Sequence, residues 1–334
     1  MTDRFYDNTR ITAYKRCPRY FYYRHDRDWQ LDGSSPPLIF GSSWHEAMDV
    51  VWKLLPTRDD RNTTTEDIVK AAWVAFNHSW EQEQTPWAEM GDEERKRLGA
   101  RTPMVAMEML YEYIDAREKI LTSPDFELIA IEQPFAVPLH PDDDTLFYVG
   151  RIDKVFRWRG DVYAGEHKTT SAYRKAEVPF RSNFLDSFSP NSQIDGYLHA
   201  LHMLYGDEAK AVWVDAALVH KERHDGFSWI QIERQLSQLD SWLYETKSWI
   251  NKMEVDKAEL SHMREDYAPN DSYLRAFPKN TNSCMDYAGC AYLELCKMIP
   301  NPEGRPVPSG YTEKHWSPFD ELELGKIGLK KDAA

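Results

Sequence analysis

The stretch Gly150-Arg151-Ile152-Asp153, followed after twelve residues by Glu166-His167-Lys168, decides how the rest of the chain is read. It predicts two antiparallel strands, Leu146 to Trp158 and Val162 to Lys168. Arg159, Gly160 and Asp161 supply the turn, where glycine gives the freedom a tight reversal needs. Alternate residues of a strand share a face, so Glu166 and Lys168 project one way and His167 the other. Pairing across the hairpin can bring Asp153 beside Glu166. Two carboxylates and an ammonium then converge on one spot.

Such a spot has a chemistry. Hard carboxylate oxygens suit Mg²⁺ or Mn²⁺, which keep waters and substrate phosphates as further ligands. The cation can stabilise charge on a phosphodiester and acidify a bound water. A neighbouring lysine can orient that water or stabilise the charged transition state. The plain alternative is an Asp–Lys or Glu–Lys surface pair on a solvated hairpin, and these three residues alone do not decide between the two.

The 334 residues are 42% hydrophobic and 13% aromatic, enough for a sizeable core in one elaborated domain or two interlocked ones. No apolar run is long enough to span a bilayer, and the polar, charged start does not read as a signal peptide, so an intracellular, cytoplasmic protein without a membrane partner is expected. The net charge of −14 excludes a wholly basic DNA-coating protein but not a local basic groove.

Taken in order, residues 8 to 16 predict a short helix capped by Asn8 or Thr9, broken at Cys17 by Pro18. The run Tyr20-Phe21-Tyr22-Tyr23 with Arg16, Arg19 and Arg24 could stack on bases and hold phosphates, or could be core. Gly33 to Pro37 reads as a loop. A helix from about Ser42 to Leu55 places His45 in its first turn, either as a structural histidine or as a further metal ligand favouring Mn²⁺. Helices over Thr65 to Gln82 and Pro103 to Leu121 flank a charged segment, with Trp73, Phe76, Trp80 and Trp87 expected in core or interface. Strand character begins at Phe126 and runs to Leu139. After the hairpin, a mobile-looking segment carries Arg174, Lys175 and Arg181. Asn191 or Ser192 caps a helix to Tyr205 with Gln193 and Tyr197 one turn apart. Strands at 211–220 and 227–232, joined by the turn Lys221 to Gly226, precede a helix from Leu236 to Met263. This order predicts an α/β fold with a mixed central sheet covered by helices on both faces.

Cys284, Cys290 and Cys296 follow with five residues between each pair. Zinc ribbons favour two-residue gaps, so the spacing argues against that module. With Cys17 they make four thiolates, the number a [4Fe–4S] cluster needs. A cluster on all four would bring the N-terminus and residues 284–296 together; unrelated buried cysteines are the alternative.

With these residues in hand, the chain resembles the PD-(D/E)xK nuclease superfamily, in its RecB-like, Cas4-type branch with an iron–sulfur cluster. The resemblance is carried by Cys17-Pro18, Gly41 to His45, Gly150 to Asp153, Glu166 to Lys168, Gln193 to Tyr197, and Phe277 to Cys296. It implies a restriction-endonuclease-like core. It implies His45, Asp153 and Glu166 as metal ligands with the backbone carbonyl of His167 as another, and Lys168 as the catalytic lysine. Gln193 and Tyr197 match the helix motif that lies beside the active site and contacts DNA. Apart from the resemblance, an acidic chain needs a focused basic track to reach phosphates, and Arg16, Arg19, Arg151, Arg174, Lys175 and Arg181 are the candidates for it. Cys17, Cys284, Cys290 and Cys296 match the cluster ligands. Glu166 departs from the aspartate many relatives carry. The implied activity is DNA exonuclease action on single strands or ends, in recombination, repair or phage metabolism, with a helicase or recombination protein as a possible partner and Mg²⁺ or Mn²⁺ as cofactor. A structure-specific endonuclease and a non-catalytic DNA-end-binding adaptor are the alternatives.

The expected organisation is an N-terminal part of the core over 1–56, a helical insertion over 57–124, the nuclease core over 125–235, a helix and iron–sulfur segment over 236–300, and a tail over 301–334.

Overall fold

The computed structural model describes residues 4–33, 35–58, 63–84, 89–139, 143–266, 270–286 and 289–315. The first elements are strand β1 (Arg4–Tyr6), helices α1 (Asn8–Arg16) and α2 (Pro18–Phe21), and strand β2 (Trp29–Leu31). Helices α3 (Pro36–Leu54), α4 (Thr65–Glu83), α5 (Asp92–Leu98) and α6 (Pro103–Leu121) follow. Then come strands β3 (Phe126–Pro138), β4 (Leu146–Trp158) and β5 (Asp161–Thr170), and helices α7 (Ser182–Asp186) and α8 (Ser192–Tyr205). Strands β6 (Ala209–Val219) and β7 (His224–Ile232), helices α9 (Leu236–Glu265) and α10 (Leu293–Met298), and strand β8 (Tyr311–Glu313) complete the order.

Tertiary contacts divide the chain into two compact units. One is Gly33–Gln133 with Arg151–Gln235; the other is Met1–Asp32, Pro134–Gly150 and Leu236–Ala334. Strands β3 and β4 each pass from one unit into the other.

In the first of these units, β4 pairs antiparallel with β5 across a turn at Arg159 and Gly160, both at positive φ. β5 pairs parallel with β6, which parallel pairing allows because α8 lies in the crossover between them. β6 pairs antiparallel with β7. The sheet is mixed, as expected. Trp213, Ala217 and Val219 of β6 join a core built on Trp44, Trp52, Phe76 and Tyr113 from α3, α4 and α6. The alternate residues Ala216 and Leu218 pack against Phe180, and α8 packs on β5 and β6. Helices therefore cover both faces.

Several expectations are corrected. Helix α3 starts at Pro36, so His45 sits in its third turn; prolines at the first helical positions lose no hydrogen bond and look like loop prolines in a sequence. Helix α5 lies inside the charged segment between α4 and α6, where the sequence predicts no element. The cap of α1 is Asp7, whose side chain accepts from the Arg10 amide. β7 begins at His224, shortening the expected turn. The segment after β5 holds a bridge between Tyr173 and Phe180, the latter buried, and then α7. Trp73 is partly buried against the core and Phe76 and Trp80 are fully buried in it, while Trp87 lies outside the described residues.

In the other unit, β1 pairs parallel with the first half of β4 and β2 pairs with β8. Phe21, Tyr22 and Tyr23 are buried, and Phe21 stacks on Phe277 at 5.7 Å. Three of the four rings of the aromatic run are core, while Tyr20 is half-buried beneath the Arg16 guanidinium. Arg19 is buried too, and donates to the carbonyls of Phe277 (3.0 Å), Leu274 (3.2 Å) and Pro300 (3.4 Å). A guanidinium taken from water needs such acceptors, so Arg19 ties chain segments together and is not a phosphate contact. Among the described residues no helix is long and apolar enough to cross a membrane.

Candidate active site

The hairpin register sets the site. Lys154 pairs with Gly165, so Asp153 and Glu166 stand opposite one another one step further along. Both are buried, at 9% and 1% exposure. Asp153 Oδ2 accepts the His167 amide at 3.0 Å, which fixes the carboxylate against β5. Lys168, on the same strand face as Glu166, forms an ion pair with its Oε1. Helix α8 completes the arrangement. Asn191 caps it by accepting the amides of Gln193 and Ile194, which places Gln193 in the first turn. Gln193 Oε1 then accepts from Lys168 Nζ at 3.2 Å, and its Nε2 donates to Glu166 Oε1 and to Tyr197 Oη, each at 3.1 Å. The Tyr197 hydroxyl donates to the Arg151 carbonyl at 2.9 Å, tying α8 to β4. Tyr197 is buried, so it braces the hairpin from within the protein.

Helix α3 adds a second group of residues. His45 Nδ1 lies 3.3 Å from Asp153 Oδ2. One turn on, Asp49 pairs with Lys154, whose side chain is fully buried. Glu132 of β3 pairs with Arg151. Its backbone is left-handed (φ +53°), a conformation that costs a non-glycine residue about 1–3 kcal/mol and clusters at functional sites. Burial, and then the Asp153 carboxylate, push the Glu132 pKa up to about 7 against the opposing pull of Arg151. Asp49, Lys154 and Glu132 escaped the sequence reading. A lysine directly after the motif aspartate and an acid in a strand carry no local signal; only the packing of α3 and the kink in β3 bring them here.

Burial, then Asp153, push the Glu166 pKa up, with Lys168 and His45 acting against them. Burial by itself would lower Lys168, but Glu166 and Asp153 outweigh it and hold the ammonium protonated. His167 points to the opposite face, against Trp52, Tyr113 and His45. Burial pushes its pKa well down, so the ring is neutral. Behind it, Tyr113 donates to Asp215 at 2.7 Å, Arg117 adds a bond of 2.7 Å, and Trp52 donates to the Tyr113 hydroxyl at 2.7 Å.

Among the described residues no three His, Cys, Asp or Glu side chains are gathered into a metal-holding group. The donor set nevertheless suits a hard divalent cation. Glu166 Oε2 is buried with no hydrogen-bond partner, opposite a second carboxylate, and Mg²⁺ sites need only one or two carboxylates beside water.

Arg174 and Lys175 lie exposed on the loop after β5, where Arg174 Nε donates to the Val178 carbonyl at 2.9 Å. Cys17, Cys284, Cys290 and Cys296 lie in the other unit, each partly buried and none in a disulfide. Burial raises the Cys290 and Cys296 thiols; Cys17 and Cys284 add to the shift of Cys290, and Cys17 and Cys290 to that of Cys296. Cys17 Sγ accepts the Asn280 amide at 3.3 Å.

Residues 8–297 match the family described as the PD-(D/E)XK nuclease superfamily. Among solved structures, the chain is similar to a "putative exonuclease" from Eubacterium rectale, with 11% identity and a TM-score of 0.41, over 73% of this chain and 78% of that one. It is also similar to SSO0001, with 12% identity and a TM-score of 0.25, over 63% of this chain and 84% of that one. No curated protein matches it.

Proposed function

The chain belongs to the PD-(D/E)XK nuclease superfamily, and on that footing we propose that it is a metal-dependent DNA exonuclease of the RecB-like, Cas4-type branch. The observation that carries this reading is the buried Glu166 Oε2, without a hydrogen-bond partner among the described residues, opposite Asp153 and beside Lys168 and His45.

Asp153 and Glu166, with His45 and the His167 carbonyl, are the residues that would hold the cation. Bound there, Mg²⁺ or Mn²⁺ supplies charge stabilisation for the phosphodiester and a more acidic water. The protein's own groups do the rest. Lys168, kept protonated by Glu166 and oriented by Gln193, presents an ammonium to the scissile phosphate and the attacking water. The His167 amide holds Asp153 in place, and Gln193 holds Glu166. Such outer contacts orient ligands and are worth roughly 10–100-fold in affinity or activity.

Within the other unit, Cys17, Cys284, Cys290 and Cys296 are the residues that would hold a [4Fe–4S] cluster. The chain has four cysteines, the number such a cluster needs, and none of them is in a disulfide.

Purified protein with Mg²⁺ or Mn²⁺ should degrade end-labelled linear single-stranded DNA and spare circles. Cutting of circles would replace this reading with an endonuclease. Sparing of both would leave a DNA-end-binding adaptor.

A further inference from the structure

A cavity of about 740 Å³ lies between α5, the exit of β5 and the β6–β7 turn, lined by residues that include Arg97, Arg101, Tyr173, Arg181 and Lys221. We propose that it is a phosphate-binding subsite for the nucleic-acid strand whose phosphodiester is cut at the Asp153–Glu166–Lys168 centre. This rests on the nuclease reading above.

Charge comes first. The chain carries −14 overall, yet among the described residues Arg97, Arg101, Arg181 and Lys221 have no carboxylate partner. The one acid of the lining, Glu93, is taken by Lys96 at 2.7 Å. Four uncompensated cations on one cavity repel one another, and a polyanion relieves that repulsion. Arg101 is partly buried and, among the described residues, donates only to the Val219 carbonyl, at 3.1 Å; burial pushes its pKa down. Guanidinium groups favour the forked geometry of phosphate oxygens.

The cavity is also built by backbone. Gly99 sits at φ +62°, and a Cβ there would stand 2.5 Å from the Lys221 carbonyl oxygen. The next residue, Ala100, donates its amide to that same oxygen at 3.1 Å. The turn after α5 is thus locked on the β6–β7 turn, and Arg97, Arg101 and Lys221 are held together. Tyr173 stacks on His220 at 4.4 Å, and His220 is bonded to Asp225 at 2.6 Å, which makes a firm wall.

Position completes the argument. Ser171 lines the cavity three residues past Lys168, about 10 Å along an extended chain at roughly 3.3 Å per residue. A strand held at the reacting centre needs only a short stretch of backbone to reach these cations. Most of the lining residues are charged or polar, which suits repeated phosphates.

The test uses R97E/K221E, two exposed side chains whose replacement leaves the Gly99 and Ala100 backbone contacts intact, with R97Q/K221Q as a milder second variant. In EDTA, the Kd for a fluorescein-labelled single-stranded oligonucleotide should rise roughly tenfold in the charge-reversal variant. Its log–log salt slope should fall by about 1.4, at about 0.7 for each phosphate no longer neutralised. With metal, KM for that oligonucleotide should rise in step while kcat stays within about twofold. Hydrolysis of thymidine 5′-p-nitrophenyl phosphate, too small to reach the cavity, should not change. Unchanged Kd, salt slope and KM in both variants would overturn the subsite. So would inorganic phosphate raising the melting temperature of wild type and variant alike while oligonucleotide binding stays the same. Failure of the wild type on the small ester would count against the nuclease reading, and the EDTA binding arm would still decide the subsite.

Discussion

Gln193 donates from Nε2 to Glu166 Oε1 at 3.1 Å, so a helix and a strand far apart in sequence share one polar contact at the reacting centre. The same carboxamide accepts from Lys168 through its oxygen. One amide thus bonds to the acid and the ammonium together, which neither a carboxylate nor an apolar side chain can do. Lys168→Ala should lower kcat by roughly 10²–10³, the scale of a lost charge-stabilising donor. Gln193→Ala should cost about 10–100-fold, and Gln193→Glu at least as much, because it sets a third carboxylate beside two. Near wild-type turnover by Lys168→Ala, with far-ultraviolet circular dichroism unchanged, would remove Lys168 from the mechanism.

Glu132 combines a left-handed backbone with a carboxyl pushed up to about 7. If that conformation is retained for the site, removing the side chain should separate stability from activity. Glu132→Gly relieves backbone strain of about 1–3 kcal/mol, partly offset by the lost Arg151 pair, so its melting temperature should hold or rise. Its activity should fall. Glu132→Gln, which keeps the strain and drops the charge, should match the activity loss without the stability gain. Equal activity in both variants and wild type would mean that Glu132 is structural.

The hairpin was legible because its signals are local: a turn with glycine, alternating residues, and acids spaced to meet across it. The same holds for α6, α8 and Asn191, whose caps and periodicity are written in adjacent residues. What was not legible depends on distant packing. Helix α5 is short and charged, and it holds because Leu98 is buried in the α3–α4–α6 core. Arg19 and Arg97 look alike in a sequence, yet one is buried on three carbonyls and the other lines an open cavity. The two units are each assembled from separated segments, and no composition shift marks the crossing of β4 at Gly150 and Arg151.

Asp215 tests the floor of the site. It takes bonds from Tyr113 and Arg117 beneath His167, and Arg117 stacks on Trp229 at 4.4 Å. Asp215→Ala leaves a buried guanidinium unpaired, which should cost about 3–5 kcal/mol. Urea unfolding should show it as a lower midpoint at unchanged slope. A loss under about 1 kcal/mol would mean that Arg117 swings out to water.

The four cysteines offer a metal test independent of nuclease activity. Anaerobically purified protein should absorb broadly near 400 nm and contain iron and sulfide, as thiolate-ligated clusters do. Cys290→Ala should lose both and unfold at a lower temperature, since a metal clip offsets the entropy of closing the loop between Cys17 and Cys284. Stoichiometric zinc without iron would leave a four-cysteine clip but no cluster. A variant that kept its metal and its melting temperature would end the idea of a clip.

His25 predicts how acid destabilises the unit that holds the cysteines. It lies in a π-helical turn over Tyr22–Asp26, with Nε2 buried and no partner among the described residues, and its ring is 5.3 Å from Phe21. Burial, helped by Arg10 and Arg24, pushes its pKa from 6.5 to about 3. The sign follows from proton uptake. Below pH 6.5 the unfolded chain binds a proton that the folded chain refuses, so stability falls with pH until about 3. Glu303 acts in the same direction but lower: bonds from Arg264 and Tyr22 outweigh burial and hold it below its ordinary 4.5, so its contribution is lost only under that value. Glu132 and Glu166, with raised values, act the other way by taking up protons in the folded state. The informative quantity is therefore the difference between wild type and His25→Gln across pH 6.5 to 4.5, where neither the Glu303 nor the Glu132 contribution changes between the two proteins. Chemical denaturation at stepped pH should give a shallower fall for His25→Gln, with the curves converging at neutral pH apart from a constant offset. Parallel curves throughout the window would show that His25 takes up its proton as readily folded as unfolded, and that this turn opens to water well before the unit unfolds.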